Sequence, residues 1–199
     1  MGILDEMQRL VIAPAITHEG VAAFLAELPT FGGPEAMADP GLAEFLAPTS
    51  QAEFCVSGEV YTVKPILTSP VARENYLYVQ SLSILAMDRL YYTHRFFDDS
   101  YLILYTLSGK GRVEFEGRTI LLHPGDGIWI DCKREHRYST EGDTWSHVAL
   151  HFRGHSAASL YAEYTAAHGL GFYQALGGAF HRSMEQLIRD YGTLSFGRE

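Results

Sequence analysis

The feature that most constrains this chain is a succession of short segments between Tyr76 and Phe152, in which apolar and polar residues alternate and glycines stand at the corners. Alternation with period two puts successive side chains on opposite faces of an extended strand, and turns at nearly even spacing fold such strands back on one another. Tyr101 to Leu107 reads as one strand, Ser108-Gly109-Lys110-Gly111 as the turn after it, and Arg112 to Phe115 as the next strand. Glu116-Gly117 then turns the chain into Arg118 to Leu122. Pro124-Gly125 makes another turn, proline fixing one φ and glycine supplying the positive one. Gly127 to Cys132 and Trp145 to Phe152 follow as strands, so an antiparallel sandwich or small barrel is expected.

The flanks have a different texture. Before residue 75, Thr17 reads as the cap of a helix carrying Val21, Phe24, Leu25 and Leu28 and ending at Pro29. Asp39-Pro40 opens a second, short helix with Leu42, Phe45 and Leu46, and Glu53 to Val63 turns to β pattern. After residue 154, Ser156 caps a helix over 157–168 with Gly169 as its stop. Phe180, Met184, Leu187 and Tyr191 keep helical spacing to a close at Gly192. The expected organisation is therefore an N-terminal extension over 1–75, a barrel over 76–154, and helices over 155–199 that pack on the sheet and pair subunits.

Charge and cysteine usage narrow the function classes. Fifteen basic against 24 acidic residues give a net charge of −9 in 199 residues. Nucleic-acid binding draws its main term from cationic neutralisation of phosphates, so this stretch is not expected to bind DNA or RNA directly. Cys55 and Cys132 form no CxxC pair and no disulfide framework, which fits a reducing, cytoplasmic setting. The N-terminus lacks a basic leader and apolar core, and no apolar run approaches the roughly 18 residues of a membrane span.

Chemistry is best sought on the strand Trp145 to Phe152. Val148, Leu150 and Phe152 share one face, which the C-terminal helices are expected to cover, while Trp145, His147, Ala149 and His151 share the other. Lining a barrel, that second face would set an aromatic plane beside imidazole nitrogens, a combination suited to a sugar or another polyhydroxylated ligand. The alternative is a strand whose histidines merely meet solvent. His136-Arg137-Tyr138 falls in a charged loop after a strand, and Arg95 lies among the aromatics Tyr91, Tyr92, Phe96 and Phe97. Spacing alone leaves Arg95 open between a structural stack and a hydroxyl or anion binder. No metal is expected: His94 stands alone in the first hairpin region, and His136 lies too far beyond Pro124-Gly125 to act as the late ligand of a metal barrel. No nucleophile motif such as Gly-x-Ser-x-Gly occurs, and Gly109-x-Gly111 joins strands and so is no phosphate loop.

In order and spacing, Tyr101 to Tyr105, Ser108-Gly109-Lys110-Gly111, Leu122-His123-Pro124-Gly125-Asp126, Ile130-Asp131-Cys132, His136-Arg137-Tyr138, Trp145 and His151-Phe152-Arg153-Gly154 resemble the N-terminal effector-binding domain of AraC-type bacterial transcription regulators. The resemblance covers Tyr76 to Gly154 well and the helices to Tyr191 in outline. It implies a mainly β fold with α, a metal-free, cupin-like jelly roll followed by two C-terminal helices; the mixed α/β N-terminal extension over 1–75 departs from the family, where only a short arm is expected, and would add a lid or extend the dimer interface. It also implies a homodimer with a small effector inside the barrel. Carried over by position from the arabinose-responsive member, the sugar-contacting residues are Arg95, Tyr138 and His147, with Ala149 standing where that member has a tryptophan. Losing the indole removes a stacking surface and leaves room, which puts arabinose in doubt and admits a larger glycan or glycoside. Trp145 and His136 complete the expected ligand set.

Family members continue into a basic helix-turn-helix domain, and no such pattern follows Tyr191, so the chain is expected to be the sensor half of a longer regulator, the alternative being a natural stand-alone sensor. DNA would then be a partner only through that other half. The rival expectation is a metal-dependent cupin enzyme acting on a small sugar or related metabolite, and a third is a carbohydrate-binding module without a regulatory role.

Overall fold

The computed structural model describes residues 8–20, 52–62 and 69–193. Within them run β1 (Gln8–Thr17), β2 (Ala52–Thr62), α1 (Pro70–Asn75), β3 (Leu77–Asp88), β4 (Tyr92–Arg95), β5 (Tyr101–Phe115), β6 (Arg118–Leu122), β7 (Asp126–Asp131), β8 (His136–Gly154), α2 (Ala157–His168), β9 (Gly171–Tyr173) and α3 (Ala179–Thr193). All pairings are antiparallel.

Two long strands, β5 and β8, carry the architecture, because each belongs to two sheets. Their outer halves, Tyr101–Thr106 against His147–Phe152, lie in a first sheet with the order β1-β2-β3-β8-β5-β7-β9. Their inner halves, Gly111–Phe115 against His136–Thr140, form a second sheet with β6 on one side and β4, then the start of β2, on the other. The two sheets face each other as a jelly roll, the cupin-like architecture expected.

Its interior is an apolar cluster that includes Met87, Leu102, Leu104, Val113, Phe115, Leu122, Ile128, Ile130 and Trp145. The opposite face of the first sheet is equally apolar. Tyr101, Tyr105, Val148, Leu150 and Phe152 meet Ala157 and Tyr161 of α2 and Phe180, Met184, Leu187 and Ile188 of α3. The C-terminal helices therefore cover the face of β8 that carries Val148, Leu150 and Phe152, as their alternation requires. Ile188, in contact through the next turn of the same stripe, is almost wholly buried.

Several local expectations are corrected. Ser108–Gly111 is no turn between strands. It is a bend inside the continuous β5, where Gly109 takes φ +71° and any Cβ would collide with the Thr144 carbonyl oxygen. Residues 136–138 open β8 and do not lie in a loop, since they pair with β4 on one side and β5 on the other. Thr17 ends β1, and the helical patterns of Val21 to Pro29 and Asp39 to Leu46 lie outside the described residues. Gly192 lies within α3, Ser156 makes no side-chain cap bond, and Leu160 on α2 faces outward. The sheet also continues across the expected boundary at 75, because β2 hydrogen-bonds β3 and β4 and closes both sheets.

Candidate functional site

The site grows from the places where β4 and β8 turn side chains inward. Period two on β4 sends Thr93 and Arg95 inside with Tyr91 just before them, while Tyr92 and His94 face out. On β8, His136 and Tyr138 point in, directly across from Arg95 and Thr93. Between Thr140 and Trp145 the pairing with β5 skips, so the inward positions change from even to odd numbers. Trp145, His147 and Ala149 consequently share the interior with His136 and Tyr138. The structure thus gathers all six residues singled out from the sequence: Arg95, His136, Tyr138, Trp145, His147 and Ala149.

Ring contacts connect them. Trp145 stacks on His147 at 3.7 Å between ring centres with 22° between planes, and His147 lies 5.7 Å from Tyr91. Tyr91 reaches Tyr138 at 6.2 Å, and Tyr138 stacks on His136. The Tyr138 hydroxyl meets the Arg95 guanidinium and Thr93. The indole is fixed at its other end, where Trp145 Nε1–H donates to Thr106 Oγ1 at 3.1 Å.

Both histidines are uncharged at neutral pH. Burial pushes His147 down to about 3, with the Trp145 backbone acting weakly the other way, and pushes His136 down to about 4 against the backbone at Arg134. His136 Nδ1 donates to the Arg134 carbonyl oxygen at 2.7 Å, which leaves Nε2 as an acceptor. Among the described residues that Nε2 and both ring nitrogens of His147 are buried without a hydrogen-bond partner. Burial also raises Tyr91 and Tyr138, so both keep their hydroxyl protons. The interior offers neutral donors and acceptors around aromatic faces, next to one buried guanidinium.

Behind Arg95 sits a cluster that sequence reasoning missed. Asp98, 3% exposed, accepts from Ser100 Oγ at 2.9 Å and from Arg153 Nη2 at 3.1 Å. Burial works to raise the Asp98 carboxyl, but His151, Arg95, Ser100 and Arg153 together hold it below its usual range. His151 is itself driven to the neutral form, mainly by burial and by Arg95, so the two arginines are the charges that keep Asp98 ionised. Ser100 Oγ lies 3.0 Å from His151 Nδ1, the nitrogen that also faces Asp98 Oδ2 at 3.7 Å. A nucleophile relay needs serine and carboxylate on opposite nitrogens, so this trio braces the barrel and positions Arg95. Burial pushes the Cys132 thiol up to about 12, which removes it as a nucleophile. The signal for this cluster was the inward register of His151 and the charge of Asp98 beside Arg95; which charge partnered which needed the loop 96–100, tied down by Asp98 N–H on the Cys132 carbonyl and Cys132 N–H on the Ser100 carbonyl.

Among the described residues no three His, Cys, Asp or Glu side chains cluster as metal ligands, and no helix is long and apolar enough to cross a membrane.

No curated protein matches the chain significantly. Solved structures resemble it in part: a cupin protein from Bacteroides fragilis (20% identity, 38% of this chain and 67% of that one, TM-score 0.35); a predicted oxalate decarboxylase from Thermotoga maritima (18%, 49% and 83%, 0.37); and the Cupin_2 domain of an XRE family transcriptional regulator from Enterobacter cloacae (11%, 38% and 94%, 0.33). The family model described as AraC-like ligand binding domain matches residues 81–197, more than half of the chain and every strand that builds the interior site except β1 and β2, and the chain belongs to that family.

Proposed function

We propose that this domain senses a small polyhydroxylated effector, a carbohydrate, inside the barrel, and that occupancy is relayed through its N-terminal segment and C-terminal helices to a DNA-binding domain outside this chain. In this reading the protein is a cytoplasmic, homodimeric regulator and not an enzyme. The observation that carries it is the set of buried, uncharged imidazole nitrogens, with Nε2 of His136 lacking a partner among the described residues and those of His147 having none beyond the adjacent Trp145 backbone. An unpaired buried polar atom costs about 1–3 kcal/mol. Hydroxyls of a ligand would satisfy these atoms, each able to donate or accept as the tautomer demands.

Tyr138 and Arg95 supply two further hydroxyl partners, and the Tyr91 ring suits the apolar face of a pyranose, while Trp145, stacked on His147 and covered by Gly111, holds the His147 imidazole in place. Ala149 is a small side chain where a family relative carries an indole, which favours an effector larger than a pentose. Trp145 and His147 are wholly buried while Arg95 and Ala149 are partly so, and a ligand that reaches His147 requires the cover to rearrange. A ligand that binds the rearranged form better shifts the population between the two forms, which is what a sensor requires.

Calorimetric titration of the 199-residue chain with a panel of mono- and disaccharides tests this. At least one sugar is expected to bind, with affinity reduced at least tenfold by His147→Ala and by Arg95→Ala in folded protein. Binding untouched by either substitution would overturn the site assignment.

A further inference from the structure

We infer a second ligand site, outside the barrel, between α3 and the outer face of the first sheet, for a single-ring aromatic molecule bearing one hydroxyl. A cavity of about 220 Å³ lies there. Its walls are mainly apolar, with Ile84 from β3, Leu107 from β5, Val148 from β8, and Met184 and Ile188 from α3, and the polar side chains of Tyr61, Ser146, His181 and Glu185 also line it. A well-packed interior leaves few voids larger than a water molecule, so a space of this size under a packed helix is a departure from ordinary packing.

The size and the polar lining select the occupant. An apolar cavity of about 150 Å³ takes a benzene molecule, so the remaining space accommodates roughly two or three further heavy atoms. One polar atom on this wall is buried with no partner among the described residues, His181 Nδ1. The opposite nitrogen, Nε2, faces Glu185 Oε1 at 3.5 Å, one turn along α3. With its proton on that side, the imidazole presents Nδ1 as an acceptor, which calls for an O–H donor. The Tyr105 ring meets His181 edge-on at 6.0 Å and leaves its own hydroxyl occupied, donating to the Gln174 carbonyl oxygen. Of the polar groups on this wall, His181 Nδ1 is the buried one without a partner among the described residues, so the site calls for one donor on a mainly apolar ring. It shares no side chain with the barrel interior, because β5 and β8 present opposite faces to the two.

Phenol and toluene are the probes, titrated into the full chain by calorimetry with methyl NMR of Ile84, Val148, Met184 and Ile188. Phenol is expected to bind one to one, shifting those methyls, and toluene to bind about tenfold more weakly, the factor carried by one net hydrogen bond. His181→Phe is expected to erase the difference between the two probes. Ala86→Phe, which fills the cavity from β3, is expected to abolish both, while His147→Ala leaves both unchanged. Two results would overturn the inference: no saturable shift with either probe in folded protein, or phenol binding that survives Ala86→Phe and is lost in His147→Ala. The sugar titrations are read separately, so failure here and failure of the barrel assignment are distinguishable.

Discussion

Lowering the pH from 6.5 to 4.5 is expected to strip this domain of most of its stability, through two histidines that make no ion pair with a carboxylate. His147 and His136 titrate near 3 and 4 when folded, against about 6.5 in an unfolded chain. Below pH 6.5 the unfolded state binds a proton at each and the folded state does not, so stability rises with pH across that window and falls as acid is added. Each histidine contributes about 1.4 kcal/mol per pH unit, and the two together about 2.7. At pH 4.5, two units below the unfolded value, about 5 kcal/mol is gone, comparable with the whole stability of many domains. Above pH 6.5 neither group contributes a slope. Asp98 does not blur the window: its folded pKa is depressed, so its contribution persists until the pH falls below the ordinary carboxylate range. His151, neutral for the same reason as the other two, adds to the slope in the same direction.

Urea unfolding followed by circular dichroism at pH 7.0, 6.0, 5.5 and 5.0 measures the slope directly. His147→Phe removes one proton-binding site and two unpartnered nitrogens, and phenylalanine keeps a ring for Trp145 to stack on. That variant is expected to be at least as stable as the parent at pH 7 and to lose about 1.4 kcal/mol per pH unit from the slope. A stability flat between pH 6.5 and 5.0, or a full slope retained in His147→Phe, would refute the reasoning.

Gly111→Ala places a Cβ inside the space of the Trp145 indole, and the displaced ring loses its bond to Thr106; a loss of about 2–4 kcal/mol is expected, read as a lowered urea midpoint with altered tryptophan emission. Asp98→Asn leaves Arg153 and Arg95 without their shared counter-charge, and about 3–5 kcal/mol of destabilisation is expected by thermal unfolding at pH 7. Ala149→Trp refills the barrel wall and is expected to exclude disaccharides while retaining any monosaccharide that the parent binds, compared by calorimetry.

Most of the strand framework was legible because alternation is local. Trp145 to Phe152 announces its two faces in eight residues, and the structure buries each against a different layer. What stayed illegible depended on distance in the fold. Ser108–Gly111 has the composition of a turn, yet Gly109 and Gly111 are used because β8 and its Trp145 press against them from 35 or so residues away in sequence. His136 to Tyr138 looked like a charged loop, since Lys133, Arg134, Glu135 and Arg137 surround it; three of those lie outside the sheet and Arg137 points away from the interior over the Tyr92 ring. The site itself was half visible: His147 from strand parity, and Arg95 and Tyr138 only through the family resemblance. Parity on β4 would also have found Tyr91 and Thr93, because they alternate with Arg95 in five consecutive residues.

The barrel interior combines two kinds of polar group that packing alone would not retain together. In the cluster of Asp98, Ser100, His151 and Arg153 the carboxylate is answered by Arg153 Nη2 and Ser100 Oγ and the loop is held by backbone bonds to Cys132, while Arg153 Nε alone stays without a hydrogen bond among the described residues. The imidazoles of His136 and His147, a short chain of ring contacts away, are left open at three nitrogens. A satisfied network stiffens a core, whereas an unsatisfied one weakens it. Phenylalanine or leucine at position 147 would fill similar space without the loss, so stability is not what the histidine serves. Arg95 stands between the two groups, its charge balanced from behind by Asp98 and its guanidinium meeting Tyr138 in front. That arrangement lets Asp98 and its partners hold Arg95 in place beside Tyr138 and the uncharged imidazoles, which is the support that the proposed hydroxyl-bearing effector would need.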